Sequence, residues 1–207
     1  MSMSIKTLQF CEPFYTIKAV SDENQYAIGR KSIVVNLGER NIMIKDMPLF
    51  RLKSTIVTNV MVRDLQRALV IEDYEIVGDL PGLFARMKKQ WRMMYDLTGQ
   101  ERHKGVRFWR SSKQKIFNAE VNLCCIDALV DTGLHREHSI PFREVHTQLL
   151  GYGKMQKFED NDPLTLYQEV ILAPGLTHDP FYNDQDAYPW HQYQSISDAV
   201  FMAIEIS

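Results

Sequence analysis

Residues Gly133–Gly151 read GLHREHSIPFREVHTQLLG, and this stretch sets the reading of the rest. Arg143–Leu150 alternates as a strand does: Glu144, His146 and Gln148 share one face, and Val145, Thr147 and Leu149 the other. His135, His138, Glu144 and His146 fall within twelve residues, and five of the protein's six histidines lie between His135 and His191. A strand face of Glu, His and Gln is costly to bury unless each group finds a partner. A polar-lined β-barrel interior holding a metal would supply partners. A solvated polar face, with Val145 and Leu149 in the core, is the alternative reading of the same residues.

Outward from this stretch the texture is β. Phe117–Val130 is a long apolar strand region ending at Asp131-Thr-Gly133. Lys154–Phe158, Thr165–Leu172 and Ser197–Ile206 read as further strands, with turns at Gly151-Tyr-Gly153, Glu159–Pro163 and Ala173–Gly175 and a polar aromatic loop from His178 to Trp190. Short strands with regular turn signals predict a sandwich or closed barrel. Toward the N-terminus, strands are expected at Phe14–Val20, Ser32–Asn36, Asn41–Lys45 and Thr55–Val62, while Asp64–Ile71 suits a helix or a strand equally. No histidine precedes His103, so this half is expected to extend a sheet or form a dimer contact. One amphipathic helix is predicted over about 81–98. Asp79 would cap it, Pro81 sits in its first turn, the apolar stripe is Leu83, Phe84, Met87, Trp91 and Met94, and Gly99 stops it. Arg86, Lys88, Lys89 and Arg92 flank the stripe as a solvated face. His103–Lys115 is basic, with Phe108 and Trp109 set in it; the expectation is a surface loop anchored by Trp109, not a single-strand nucleic-acid platform.

Composition bounds the function classes. The 207 residues are 45% hydrophobic and 24% charged, with net charge −2, which leaves no basic footprint for nucleic acid or an anionic membrane. No apolar run has spanning length and the start, MSMSIKTLQF, has no signal-peptide core, so a cytoplasmic protein is expected. Three cysteines make no paired framework, and adjacent Cys124 and Cys125 would point to opposite faces of a strand.

The C-terminal half, residues 116–207, resembles the cupins, small β-barrels (double-stranded β-helix or jelly roll) with a metal in the barrel mouth. Gly133, His138, Glu144 and Gly151 match much of the first cupin motif, and Pro189-Trp-His191-Gln-Tyr193 with the strand after it looks like the second. The fold this implies is mainly β: a cupin-like barrel behind a β-rich N-terminal extension, residues 1–115. The resemblance implies a metal held by His138, Glu144, His146 and His191, with His135 and His178 in reserve. Iron leads, with Mn, Ni, Cu or Zn also compatible with imidazole and carboxylate donors. Ile140 stands where the family has its second histidine, so His146 would replace that ligand. The implied function is a metal-dependent enzyme acting on a small polar organic molecule, with a dioxygenase ranked ahead of an isomerase or lyase. Tyr167, Glu169 or Tyr193 would move the proton, and Arg136 or Arg143 would hold a substrate carboxylate or phosphate. Rival readings are a non-catalytic ligand-binding or regulatory cupin, which the Ile140 departure favours, and an assembly protein. A homodimer is expected by analogy; nucleic acid and membrane partners are not.

Overall fold

The computed structural model describes residues 4–10, 15–75, 79–136, 143–181 and 188–206. Its first sheet contains β1 (Ser4–Leu8), β2 (Thr16–Ile28), β3 (Ser32–Asn36), β4 (Ile42–Ile44), β5 (Met47–Leu49), β6 (Ser54–Val57) and β7 (Val60–Glu72). The strand order is β1-β2-β7-β3-β6, with the β4–β5 hairpin pairing on β7. α1 (Leu80–Gln90) leads to the second sheet: β8 (Arg92–Met93), then α2 (Met94–Thr98), β9 (Phe108–Arg110), β10 (Gln114–Ile116), β11 (Ala119–Ile126), β12 (Arg143–Leu150) and β16 (Ala199–Ile206). Its order is β12-β16-β11-β9-β8, with β10 on β11. The third sheet is β14-β13-β15, built from β13 (Gly153–Phe158), β14 (Leu166–Leu172) and β15 (Trp190–Ser195). The protein is mainly β, as expected. No helix among the described residues is long and apolar enough to cross a membrane.

The second sheet is the middle layer, and its sequence shows why. β11 and β16 (AEVNLCCI and AVFMAIEI) are buried almost end to end, the mark of strands covered on both faces. Val121, Leu123, Cys125, Met202 and Ile204 pack toward Ile17, Ile33, Leu69 and Ile71 of the first sheet. The opposite face sends Phe108, Cys124, Phe201 and Ala203 toward Met155 and Tyr193 of the third. Cys124 and Cys125 thus lie in different cores, as strand alternation requires. The first sheet closes its own outer face with Val34, Ile42, Val62, Leu65 and Val70 under the β4–β5 hairpin.

The structure corrects or decides five sequence expectations. The helix does not run from 81 to 98. Asp79 caps it, accepting from Gly82 N at 2.8 Å, but Trp91 leaves the helix with extended backbone (φ −94, ψ 156). The buried Trp91 indole N–H donates to Phe10 O at 2.9 Å, so an anchor to the N-terminal layer ends α1 and a separate short α2 follows. The undecided Asp64–Ile71 is strand, the inner part of thirteen-residue β7. The expected strand Thr55–Val62 is broken between β6 and β7, where Asn59 takes φ 48. The second sheet also begins at Arg92: β8, β9 and β10 add residues 92–116 to the half expected to start at 116. In β9, Phe108 and Trp109 are both buried, one toward each core, so the basic segment carries short strands where a surface loop was expected, and Trp109 does anchor it.

Candidate functional site

Between the second and third sheets lies a cavity of about 270 Å³. The cross-strand register explains its lining. Glu144 pairs with Glu205, His146 with Ala203 and Gln148 with Phe201; on the other side of β16, Asn122 pairs with Ala203 and Cys124 with Phe201. Directly opposed residues share a face, so the polar face read from β12 points into the cavity and is not solvated. From the third sheet come Met155, His191 and Tyr193, and from the loop after α2 come Arg102 and His103.

Each histidine is held differently. His146 Nε2 lies 3.2 Å from Glu144 Oε1, and its Nδ1 lies 3.3 Å from Met155 Sδ. An imidazole N–H donating to an ionised carboxylate satisfies both groups of this i, i+2 pair. His178 has both ring nitrogens engaged: Nδ1–H donates to Asp179 O at 2.6 Å, and Nε2 accepts the backbone N–H of His146 at 2.8 Å. Burial pushes its pKa down to about 3, which keeps it the neutral acceptor this bond needs. His178 is therefore a structural clamp on β12, with no lone pair left for a metal. His191 Nδ1–H donates to Pro189 O at 2.9 Å, and its ring stacks on Phe181 at 4.2 Å.

His135 bridges to His191 through two backbone hydrogen bonds of 2.9 and 3.1 Å, with ring centroids 4.1 Å apart. Its Nδ1 lies 2.9 Å from Arg102 Nη1 and 3.1 Å from Gly133 O. A guanidinium only donates, so Nδ1 accepts, and the same Nη1 also reaches the carbonyls of Thr132 and Gly133 at 3.3 Å. Burial, then the neighbouring His191 and Arg102, lower the His135 pKa to about 2. Burial also lowers Arg102 to about 10, while Glu144 opposes that shift. Gly133, at φ 84, lets this contact form: a Cβ there would sit 3.0 Å from Arg102 Cβ. His103 donates from Nδ1 to the Thr98 hydroxyl at 2.9 Å, and burial followed by Arg102 and Arg110 lowers its pKa to about 4.

Of the expected metal ligands, Glu144, His146 and His191 line one cavity, and His138 lies outside the described residues. Among the described residues no three His, Cys, Asp or Glu side chains form a group that could hold a metal ion. The committed donors explain this: His146 Nε2 is turned to Glu144, and His135 Nδ1 to Arg102. The described residues do not by themselves make a metal cage.

Of the expected proton-moving residues, Tyr193 lines the cavity, but its hydroxyl donates to Gln148 Oε1 at 3.0 Å. Burial raises its pKa, so the phenol keeps its proton. Tyr167 and Glu169 sit on β14 and are exposed, away from the cavity lining. The Glu169 carboxylate accepts from Gln156 Nε2 at 2.7 Å and Lys154 Nζ at 3.1 Å. The strand face is the reason: Glu169 pairs with Gln156, next to the cavity-facing Met155 and hence on the opposite side. Arg136 and Arg143 are exposed too. The basic residues that do line the cavity are Arg102, Arg110 and Lys113. Sequence reasoning passed over Arg110 because three-residue β9 is too short to show a period and takes its face from β11.

No family model matches the chain, and no curated protein does. Solved structures of cupin-domain proteins are similar to about half of it. An RmlC-like cupin from Desulfovibrio desulfuricans is 17% identical over 48% of this chain and 82% of its own, with TM-score 0.36. A cupin domain from Bordetella pertussis is 20% identical over 46% of this chain and 90% of its own, with TM-score 0.33. AerE from Microcystis aeruginosa is 14% identical and spans 99% of this chain and 92% of its own, with TM-score 0.38. Likenesses of this depth add nothing to the strand pairing, which by itself defines the facing sheets and the cavity between them.

Proposed function

We propose that the protein is an enzyme of cupin-like build that binds a small polar organic molecule between its second and third sheets and moves a proton on it, as an isomerase or lyase does. The observation that carries this reading is the Glu144–His146 pair, 3.2 Å apart on the cavity face of β12. A carboxylate oriented by an imidazole N–H has the form of a general base, and such a group contributes about 10²–10⁴-fold in rate. Glu144 takes the proton from a carbon next to a carbonyl or carboxylate, and the His146 N–H stabilises the carboxylate before the transfer. His178 fixes the strand on which both sit by accepting the His146 backbone N–H. Tyr193, kept protonated by burial, forms part of the wall and takes no proton. The test is hydrogen–deuterium exchange at the α-carbon of a panel of small 2-oxo and 2-hydroxy acids in D₂O, read by NMR for wild type and Glu144→Gln. Catalysed exchange in the wild type that the variant loses supports the reading; exchange equal in both removes Glu144 as the base.

The metal-dependent reading, including the dioxygenase form with iron, keeps one specific observation in its favour. Glu144 and His146 from β12 and His191 from the facing sheet line the same cavity, and His138 would be the fourth donor. Elemental analysis of untagged protein, beside Glu144→Ala and His191→Ala, separates the two readings. Near-stoichiometric iron, manganese, nickel, copper or zinc, lost in both variants, replaces metal-free proton transfer with metal chemistry.

A further inference from the structure

The cavity wall has a charge pattern that the proton-transfer pair does not use. Among the described lining residues, Arg102, Arg110 and Lys113 are cationic and Glu144 and Glu205 are anionic. The formal charges of these five side chains leave one positive charge over. Lys113 is satisfied by Glu205 and by Glu120 at 3.3 Å. Arg102 is spent on Gln100 Oε1 at 2.8 Å, His135 and two carbonyls. Arg110 is the remainder. It makes no hydrogen bond or ion pair among the described residues, and its Nε is buried with no partner. A buried, unpaired guanidinium N–H costs free energy that an anionic ligand recovers.

Its position fits that role. Arg110 pairs with Cys124 across β9–β11, on the sheet face that also carries His146 and Glu144. β9 is three strands from β12, about 14 Å at the usual spacing, and the long arginine side chain reaches over part of this. Phe108, Phe201, Met94 and Met155 supply apolar wall between the charged ends. The cavity volume, about 270 Å³, suits a small acid.

We infer that Arg110 is the carboxylate-binding residue of this cavity, and that the ligand is a compact organic acid whose carboxylate sits on the Arg110 guanidinium while its body lies toward Glu144. This rests on the proposed function for the identity of the reacting end, but the anion site stands on Arg110 itself.

The test is calorimetric titration of the full-length protein with benzoate, benzamide and inorganic phosphate, in the wild type, Arg110→Gln, Arg110→Lys and Glu144→Gln. Thermal melts report folding of each variant. The expected result is binding of benzoate but not of neutral, similarly shaped benzamide. Arg110→Gln should weaken benzoate binding about 10- to 100-fold, the worth of a charge-assisted hydrogen bond, with Arg110→Lys in between because it loses the two-pronged geometry. Benzamide binding as tightly as benzoate, phosphate binding more tightly than benzoate, or a folded Arg110→Gln that binds benzoate unchanged would each overturn the inference. Should Arg110→Gln fail to fold, the Arg110→Lys affinity and the benzoate–benzamide difference in the wild type decide it. Glu144→Gln separates the two ideas: it should keep benzoate binding while losing deuterium exchange. Benzoate bound with no exchange in any variant would leave the anion site standing and remove the proton-transfer reading.

Discussion

The two faces of the middle sheet share every backbone atom and differ in almost everything else. Toward the first sheet, β11, β12 and β16 present Val121, Leu123, Val145, Leu149, Met202 and Ile204. Toward the third, the same strands present Asn122, Cys124, Glu144, His146, Gln148 and Glu205. The period of two separates them completely. A one-residue slip would drive Glu144 and His146 into the apolar seam, so the apolar face fixes the register that aims the polar one. Stability and chemistry are thus assigned to opposite sides of one sheet, and substitutions can separate them.

The largest effect belongs to the cavity face. Glu144→Gln should lower catalysed deuterium exchange by about 10²–10⁴-fold and leave the melting temperature almost unchanged, since the amide oxygen still accepts from His146. A collapse in stability would show that the two faces are not independent. Next comes Ile204→Ala on the apolar face, fully buried against the first sheet. It should cost about 2–5 kcal/mol in urea unfolding with the benzoate affinity of the refolded protein retained. Gly153→Ala follows. A Cβ there would lie 2.0 Å from the Tyr193 hydroxyl oxygen, so the ring must move and break its bond to Gln148. A loss of about 1–3 kcal/mol is expected, with a change in Tyr193 near-ultraviolet circular dichroism.

Acid should act through three histidines kept neutral by burial, His178, His135 and His103, with folded pKa values of about 3, 2 and 4. Each lies below the ordinary value of 6.5, so the unfolded chain binds more protons than the folded one and stability rises with pH through this window. The melting temperature should therefore hold above about pH 6.5 and fall steadily between there and pH 4. His178→Gln, which keeps an acceptor and cannot titrate, should flatten part of that slope. The smallest effect is reserved for Glu169→Ala. This exposed residue should change stability by no more than about 0.5 kcal/mol, and exchange not at all; lost activity would restore it to the site.

The strand pattern of β12 was legible because its alternation is strict, and the structure gives it the limits Arg143–Leu150. That Glu144 and His146 share a face followed from it, whereas that this face looks into the cavity comes from the layers packed around it. Tyr167 and Glu169 misled because alternation tells which residues share a face but not which face looks inward. On the edge strand β14 that choice depends on pairing with β13. Arg110 was hidden for a related reason: β9 has three residues, too few to show a period, and it acquires its face from β11. Trp91 shows the third kind of failure. Its helical spacing is real, yet a hydrogen bond to Phe10, 81 residues earlier, ends the helix there.

The neighbouring thiols of Cys124 and Cys125 have a practical consequence. Both are buried, and burial raises both pKa values, that of Cys125 to about 12, so neither reacts readily with alkylating reagents while its surroundings stay closed. One thiol is sealed by the third sheet and the other by the first. Peptide-mapped labelling of these two adjacent atoms over time would act as a pair of clocks, one timing the breathing of the cavity and the other the parting of the layers.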